Sequence, residues 1–346
     1  MITKKSSSSL RDVAQAAGVS LGTASRALNN KSNVLPTTRA IVLKAAADLG
    51  YKLQIRVPST VASKLNTVGV AVKRDPGEFP RLDPFNYAVL CGVENECERL
   101  SINLMYASLP VNEYSHAVTW SALLESDGID GLIIVGAVVS DPKIIQRIPR
   151  NIPIAVVDGI PVDEDCDTIL THNVRGAYDA VKYLVDNGHT KIGLIGSTII
   201  GHEHPSITER RQGYLKALND CGIPNIYVED SHLQGASAYE ATLRLLKRVP
   251  DITAIFACND DIAHYVIKAA NDLGRFVPDD ISVVGFDDTE GALNMQPPLT
   301  TMQVDKELMG AVAVRHLYER AINPTRPPIT TMISTRLVVR DSVSRV

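Results

Sequence analysis

From Thr67 onward, short apolar runs alternate with longer amphipathic segments, and this alternation leaves few folds open. The runs are TVGVAV (67–72), INLMYA (102–107), GLIIVG (131–136), IPIAVVD (152–158), KIGLIG (191–196), AIFAC (254–258) and ISVVGFDD (281–288). Between them lie helical stretches such as NYAVLCGVENECERL, AYDAVKYLVDNG, ERRQGYLKALNDCG and DDIAHYVIKAANDLG. Strands that are apolar throughout are buried on both faces, the condition of parallel sheets covered by helices. Residues 67–346 are too many for one ordinary core, so two α/β lobes are expected, with any ligand at the carboxyl ends of their strands.

Residues 1–66 follow a different pattern. They hold ten Lys or Arg against Asp12 and Asp48, a net of +8, while the whole chain is −4, leaving −12 for the remainder. A basic head on an acidic body suits a polyanion, because Lys and Arg gain affinity for nucleic acid by displacing its condensed counterions. In the head, Leu10, Val13, Ala14 and Ala17 fall at helical spacing, and Gly18 supplies a stop. Ser20 is a candidate N-cap for LGTASRALNN, with Leu21, Ala24 and Leu28 on one face. Pro36 and Gly50 bracket a third helix with an apolar stripe of Ile41, Ala45 and Leu49. Helix, glycine-containing turn and helix make a helix-turn-helix unit.

Other classes of function find little support. The composition, 45% hydrophobic and 21% charged, is that of a folded chain. No apolar run approaches the roughly 18–20 residues of a membrane span, and the N-terminal lysines precede no apolar stretch, so a cytoplasmic protein is expected. Five cysteines without CxxC spacing argue against a disulfide framework or a structural zinc site. GLIGSTIIG (193–201) matches neither GxGxxG nor a P-loop, and GxSxG and HExxH are absent. His202 and His204 lack a third ligand in view and are expected to be solvated. No catalytic residue, metal or cofactor is expected.

The string LRDVAQAAGVSLGTASRALNN, followed by TTRAIVLKAAADLGY, resembles the DNA-binding head of the LacI/GalR family of bacterial repressors, and the body resembles that family's periplasmic-binding-protein-like core. The marks in the head are Val19, Ser20, Thr23, Ser25, Arg26 and Asn29, then Gly50 and Tyr51. In the body they are Arg210 and Gly213 in ERRQGY, Asn259 and Asp260 in CND, and VVGFDDTE through PPLTT. The resemblance implies a helix-turn-helix head (1–51), a hinge linker (52–66) and a two-lobed effector-binding core (67–346). The first lobe is expected over 67–170 and 304–328, the second over 171–303 and 329–346.

A recognition helix presents its N-terminal residues to base edges in the major groove, which makes Leu21, Gly22 and Arg26 the readout positions. For Leu21 the alternative is a place in the head's own core. Thr23, Ser25, Asn29 and Thr37 suit phosphate contacts. In the linker, Leu53 and Gln54 stand where relatives carry Pro and Asn, and the residue wedged into the minor groove is either Thr60, by spacing from Tyr51, or Leu65, by chemical type, the second being preferred. The family's effector contacts fall on Asp158, Arg210, Asn259 and Asp287. For one of Asp287 and Asp288 the alternative is a helix cap. Stacking candidates are Phe85, Tyr87, Trp120 and Tyr239. The set of Asp158, Arg210, Asn259 and Asp287 offers paired donors and acceptors suited to vicinal hydroxyls, so a sugar is the first expectation for the effector and a nucleobase the second. The expected assembly is a homodimer on a palindromic double-stranded operator; a solute-binding protein without DNA function is the competing class, and an enzyme is the third.

Overall fold

The structure is a computed structural model that describes residues 10–20, 23–24, 27, 36–48, 65–75, 83–112, 116–119, 121, 128–136, 152–159, 165–196, 204–231 and 235–346. The chain divides into two compact units, Met1–Ala62 and Ser63–Val346. In the first, α1 (Leu10–Ala16) and α2 (Pro36–Asp48) pack with a short intervening helical stretch around Val13, Ala14, Ala24, Ala27, Val42 and Ala46. The buried stripe of α2 therefore runs through Val42 and Ala46, and Ile41 is 55% exposed, not inward as its apolar spacing suggests. Adjacent apolar residues give α2 two possible stripes one residue apart, and packing against α1 selects between them.

The second unit holds two six-stranded sheets. The first has the order β11-β5-β4-β3-β1-β2 and is parallel throughout, from β1 (Thr67–Arg74), β2 (Asn103–Pro110), β3 (Gly131–Val135), β4 (Ile154–Val157), β5 (Asp167–Thr171) and β11 (Thr330–Ile333). In the second the order is β12-β10-β9-β8-β6-β7, from β6 (Ile192–Ile195), β7 (Tyr227–Glu229), β8 (Ala254–Ala257), β9 (Ser282–Asp287), β10 (Thr300–Gln303) and β12 (Arg336–Val338). There the edge strand β12 runs antiparallel to β10. The strands β3, β6, β8 and β9 are buried along their whole length, as unbroken apolar runs between two helical layers require.

Helices α3 (Pro84–Leu100) and α9 (Lys306–Ile322) serve the first sheet. The second is served by α4 (Asn173–Asp186), α5 (Pro205–Asp220), α6 (Gly235–Arg248), α7 (Asp260–Asp272) and the single-turn α8 (Glu290–Asn294). The chain crosses between lobes three times, after β5, after β10 and after β11. The last crossing follows Ile333, later than the 328/329 boundary expected, because β11 pairs with β5 and completes the first sheet. None of the helices among the described residues is long and apolar enough to cross a membrane.

Close packing of α3 on α9 depends on two glycines. A Cβ at Gly92 would strike the Glu307 carbonyl, and one at Gly310 would strike the carbonyl of Val89, so the two backbones are nearly in contact. Gly310→Ala is expected to destabilise the core by about 1–3 kcal/mol, since a rigid backbone and not a pliant side chain must give way. The urea midpoint of the purified chain measures this, and an unchanged midpoint would show that the helices separate at no cost.

Candidate functional site

In the head, the Ser20 Oγ accepts from the Thr23 backbone N–H at 3.1 Å, the N-cap expected from sequence. Its hydroxyl also lies 2.8 Å from the Thr23 Oγ1. Thr37 is exposed in the first turn of α2. Leu21, Gly22, Ser25, Arg26, Asn29 and Tyr51 lie outside the described residues, as does Thr60.

Leu65 corrects the sequence reading. It is 3% exposed and belongs to the first lobe's core, packed over Gly131 beside Leu317. A side chain held there has no free surface to insert between base pairs, so the minor-groove wedge is not Leu65.

Between the lobes lies a cleft of about 680 Å³, within the size range of small-molecule sites. It brings together the four effector contacts expected from sequence and one of the stacking candidates, Phe85. Asp158 follows β4, Asp287 ends β9, Asn259 caps α7, Arg210 lies in α5, and Phe85 opens α3. Among the described residues four non-glycines have positive φ, and two of them line the cleft, Asp158 at 51° and Asp287 at 100°, with Asp288 at 51° next in the chain. Such conformations cost of order 1–3 kcal/mol each and concentrate where function holds them.

Arg210 organises the floor. Its Nε donates to the Asn173 Oδ1 at 3.0 Å, Nη1 to the Cys258 carbonyl at 2.6 Å and Nη2 to the Asp287 Oδ1 at 2.9 Å. The guanidinium also lies over the Phe286 ring, 3.8 Å from its centroid. Three of its five N–H donors thus hold protein, leaving two for a ligand oxygen. Asn259 accepts from the Ile262 N–H at 2.8 Å, so its oxygen is engaged in capping. Asp260 is buried, accepting from the Thr289 N–H at 2.7 Å and the Thr301 hydroxyl at 2.6 Å. Burial first, then the nearby charge of Asp287, pushes its carboxyl up to about 7.

Neither Asp287 nor Asp288 caps the following helix. Thr289 stands at that position, while Asp288 accepts from Gln303 and Arg340. His204 is not solvated, as the sequence suggested. It sits at the start of α5 with its Nδ1 2.6 Å from the Ser206 Oγ and its Nε2 3.4 Å from the Asp158 Oδ2, a contact that spans the two lobes. Burial lowers its pKa. The proline that follows it, which favours a helix start, was the available signal. Sequence reasoning also missed Lys73, Asp83, Asp261 and His264, which line the cleft. Tyr87 is 59% exposed on α3, and the Tyr239 hydroxyl donates to Asp272; neither lines the cleft, and Trp120 lies outside the described residues.

The head matches the family described as bacterial regulatory proteins, lacI family, over residues 9–54, and the body matches the periplasmic binding protein-like domain over residues 181–343. A transcriptional repressor named PurR from Mannheimia succiniciproducens is 31% identical over 97% of this chain and 99% of its own length. Its counterpart from Proteus mirabilis is 32% identical over 97% and 96%. Among solved structures, the transcriptional regulator CelR in complex with cellobiose aligns over 97% of this chain and 99% of its own, with a TM-score of 0.66 and 27% identity. The Lac repressor dimer bound to operator and an anti-inducer aligns over 98% and 99%, with a TM-score of 0.70 and 24% identity. With head and core matched in order and curated repressors similar over nearly their whole length, the chain belongs to the lacI family of bacterial regulatory proteins, and it is a DNA-binding transcriptional repressor, not an enzyme.

Proposed function

We propose that the operator affinity of this repressor is set by a sugar held between its lobes, and that it acts as a homodimer on a palindromic operator. The observation that carries the sugar reading is the lining of the cleft, where carboxylates, Asn259 and the two remaining donors of Arg210 surround a space in which Phe85 is the one Phe, Tyr or Trp among the described residues, with His204 and His264 the other rings. Paired acceptors and donors suit vicinal hydroxyls, whereas a planar base gains most from aromatic faces on which to stack. The CelR–cellobiose complex, similar over nearly the whole chain, supports the same class. A nucleobase is the second reading, favoured by the PurR repressors among the curated relatives.

A thermal-shift screen of sugars and purines decides between them, since a ligand at 100 times its Kd stabilises by about 2.7 kcal/mol. Operator titration by fluorescence anisotropy, with and without the hit, then tests control. Stabilisation by purines and by no sugar would overturn the first reading.

Base readout is assigned to Leu21, Gly22 and Arg26, with Ser20, Thr23, Ser25, Asn29, Thr37 and Tyr51 positioning the head. Arg26→Ala is expected to weaken specific operator binding by about 1–3 kcal/mol while leaving binding to random duplex near its starting level, because it removes a base contact and little backbone attraction. Equal losses on both duplexes would make Arg26 a phosphate contact.

A further inference from the structure

The charges that line the cleft do not balance. Five aspartates (Asp75, Asp83, Asp158, Asp261 and Asp287), besides the buried Asp260 whose carboxyl is pushed up to about 7, face one lysine, one arginine and two histidines. The lysine and the arginine are matched within the protein, Lys73 by Asp75 at 3.0 Å and Arg210 by Asp287 at 2.9 Å. His204, which faces Asp158, is held toward its neutral form by burial. Apart from His264, which acts on Asp261, the wall thus has no unmatched basic side chain, among the described residues, to receive a phosphate or carboxylate, and an anionic effector would meet a field of its own sign.

Asp83 and Asp261 approach this space from opposite lobes. Asp83 caps α3, its two carboxylate oxygens accepting from the backbone N–H groups of Phe85 at 2.9 Å and Asn86 at 3.1 Å. Asp261 lies in the first turn of α7. Each gains from the positive end of its helix, equivalent to about half a charge. That is not enough, since the pKa of both is raised. Desolvation is the first cause in each case; for Asp83, which is half-buried, the charges of Asp287 and Asp158 add to it, whereas Asp261 is exposed and His264 acts against its shift. Asp83, whose charged neighbours are both acidic, thus lacks a counter-charge that a ligand can bring.

We propose that the effector carries a protonated amine as well as hydroxyls, an amino sugar in chemical class, and that Asp83, with Asp261 across the cleft, receives the ammonium. This rests on reading the cleft as a polyol site. A protonated amine there exchanges its hydration for charge-assisted hydrogen bonds to carboxylates, which are about twice as strong as neutral ones. The remaining donors of Arg210 and the carboxylates of Asp158 and Asp287 stay available to the hydroxyls.

The test uses the full chain in an amine-free buffer, with ligands in matched pairs. D-glucosamine is compared with D-glucose, and tris(hydroxymethyl)aminomethane with pentaerythritol, its neutral isostere. The expected result is that at least one amine raises Tm and binds tenfold or more tightly than its neutral partner. Asp83→Asn, which keeps a good N-cap residue, is expected to bring that ratio close to one, and Asp261→Asn to reduce it. Equal affinities within both pairs, or no shift from any amine at millimolar concentration, would overturn the proposal. So would a preference that survives both substitutions. A neutral sugar that binds more tightly than the amines overturns this inference alone, whereas stabilisation by purines only overturns the sugar reading with it.

Discussion

Asp287→Ala is expected to destabilise the core by about 3–5 kcal/mol, because it leaves the Arg210 guanidinium buried without its counter-charge. Side-chain exposure is 4% for Arg210 and 10% for Asp287, so the pair is largely shielded from solvent. The figure measures the penalty of an orphaned charge, not the net worth of the pair, which desolvation of both partners offsets. Asp287→Asn retains an oxygen that can accept from Nη2 and should lose less. Urea unfolding of the three proteins checks the order. A near-wild-type midpoint for the alanine variant would mean that the pair is not formed in solution. The same substitution removes a carboxylate from the cleft wall, so whatever folded protein remains should respond poorly to the effector.

Leu65→Ala should cost about 2–5 kcal/mol, the range for a leucine removed from a packed core. The side chain fills the space that Gly131 leaves over the first sheet, and Leu317 from α9 closes it. Truncation leaves a cavity where strand and helix meet, and both are tied to neighbours by parallel pairing or by the glycine contact of α3 with α9. Two measurements separate this role from a groove contact. A lowered thermal midpoint with an unchanged operator bend, read by circular-permutation gel shift, is the expected pair of results. A lost bend with an unchanged midpoint would return Leu65 to the DNA.

The elements legible in the sequence were those that lie wholly inside. β1, β3, β4, β6, β8 and β9 occupy the middle of their sheets, and burial on both faces demands unbroken apolar runs, here too short for helices and set apart by amphipathic segments. β2, an edge strand, was legible from its apolar first half. The others stayed hidden for physical reasons. β10 (TTMQ) and β11 (TTMI) are threonine-rich, β7 and β12 are three-residue edge strands, and β5 begins with the charged Asp167. A buried carboxylate inside a strand breaks the apolar pattern, yet here it is satisfied by two arginines and a backbone N–H. The site divides similarly. Asp158, Asn259 and Asp287 stand at strand ends, where the topology itself places ligand contacts. Asp83 and His204 reach the cleft from the starts of helices, and no periodicity marks a loop residue as facing inward.

The three crossings between lobes set an order of events during synthesis. The first lobe cannot close when its own first half leaves the ribosome, because α9 and β11 are encoded after the entire central segment of the second lobe. Translation of that segment takes on the order of ten seconds at about 5–20 residues per second. Throughout that interval β5 is an open sheet edge, and the glycine face of α3 has no helix upon it. Asp167, fully buried in the finished protein, waits for Arg320, Arg326 and the Ile329 N–H, all of which emerge later. The nascent first lobe thus presents an unpaired strand edge until residues 330–338 close both lobes, β11 for one and β12 for the other.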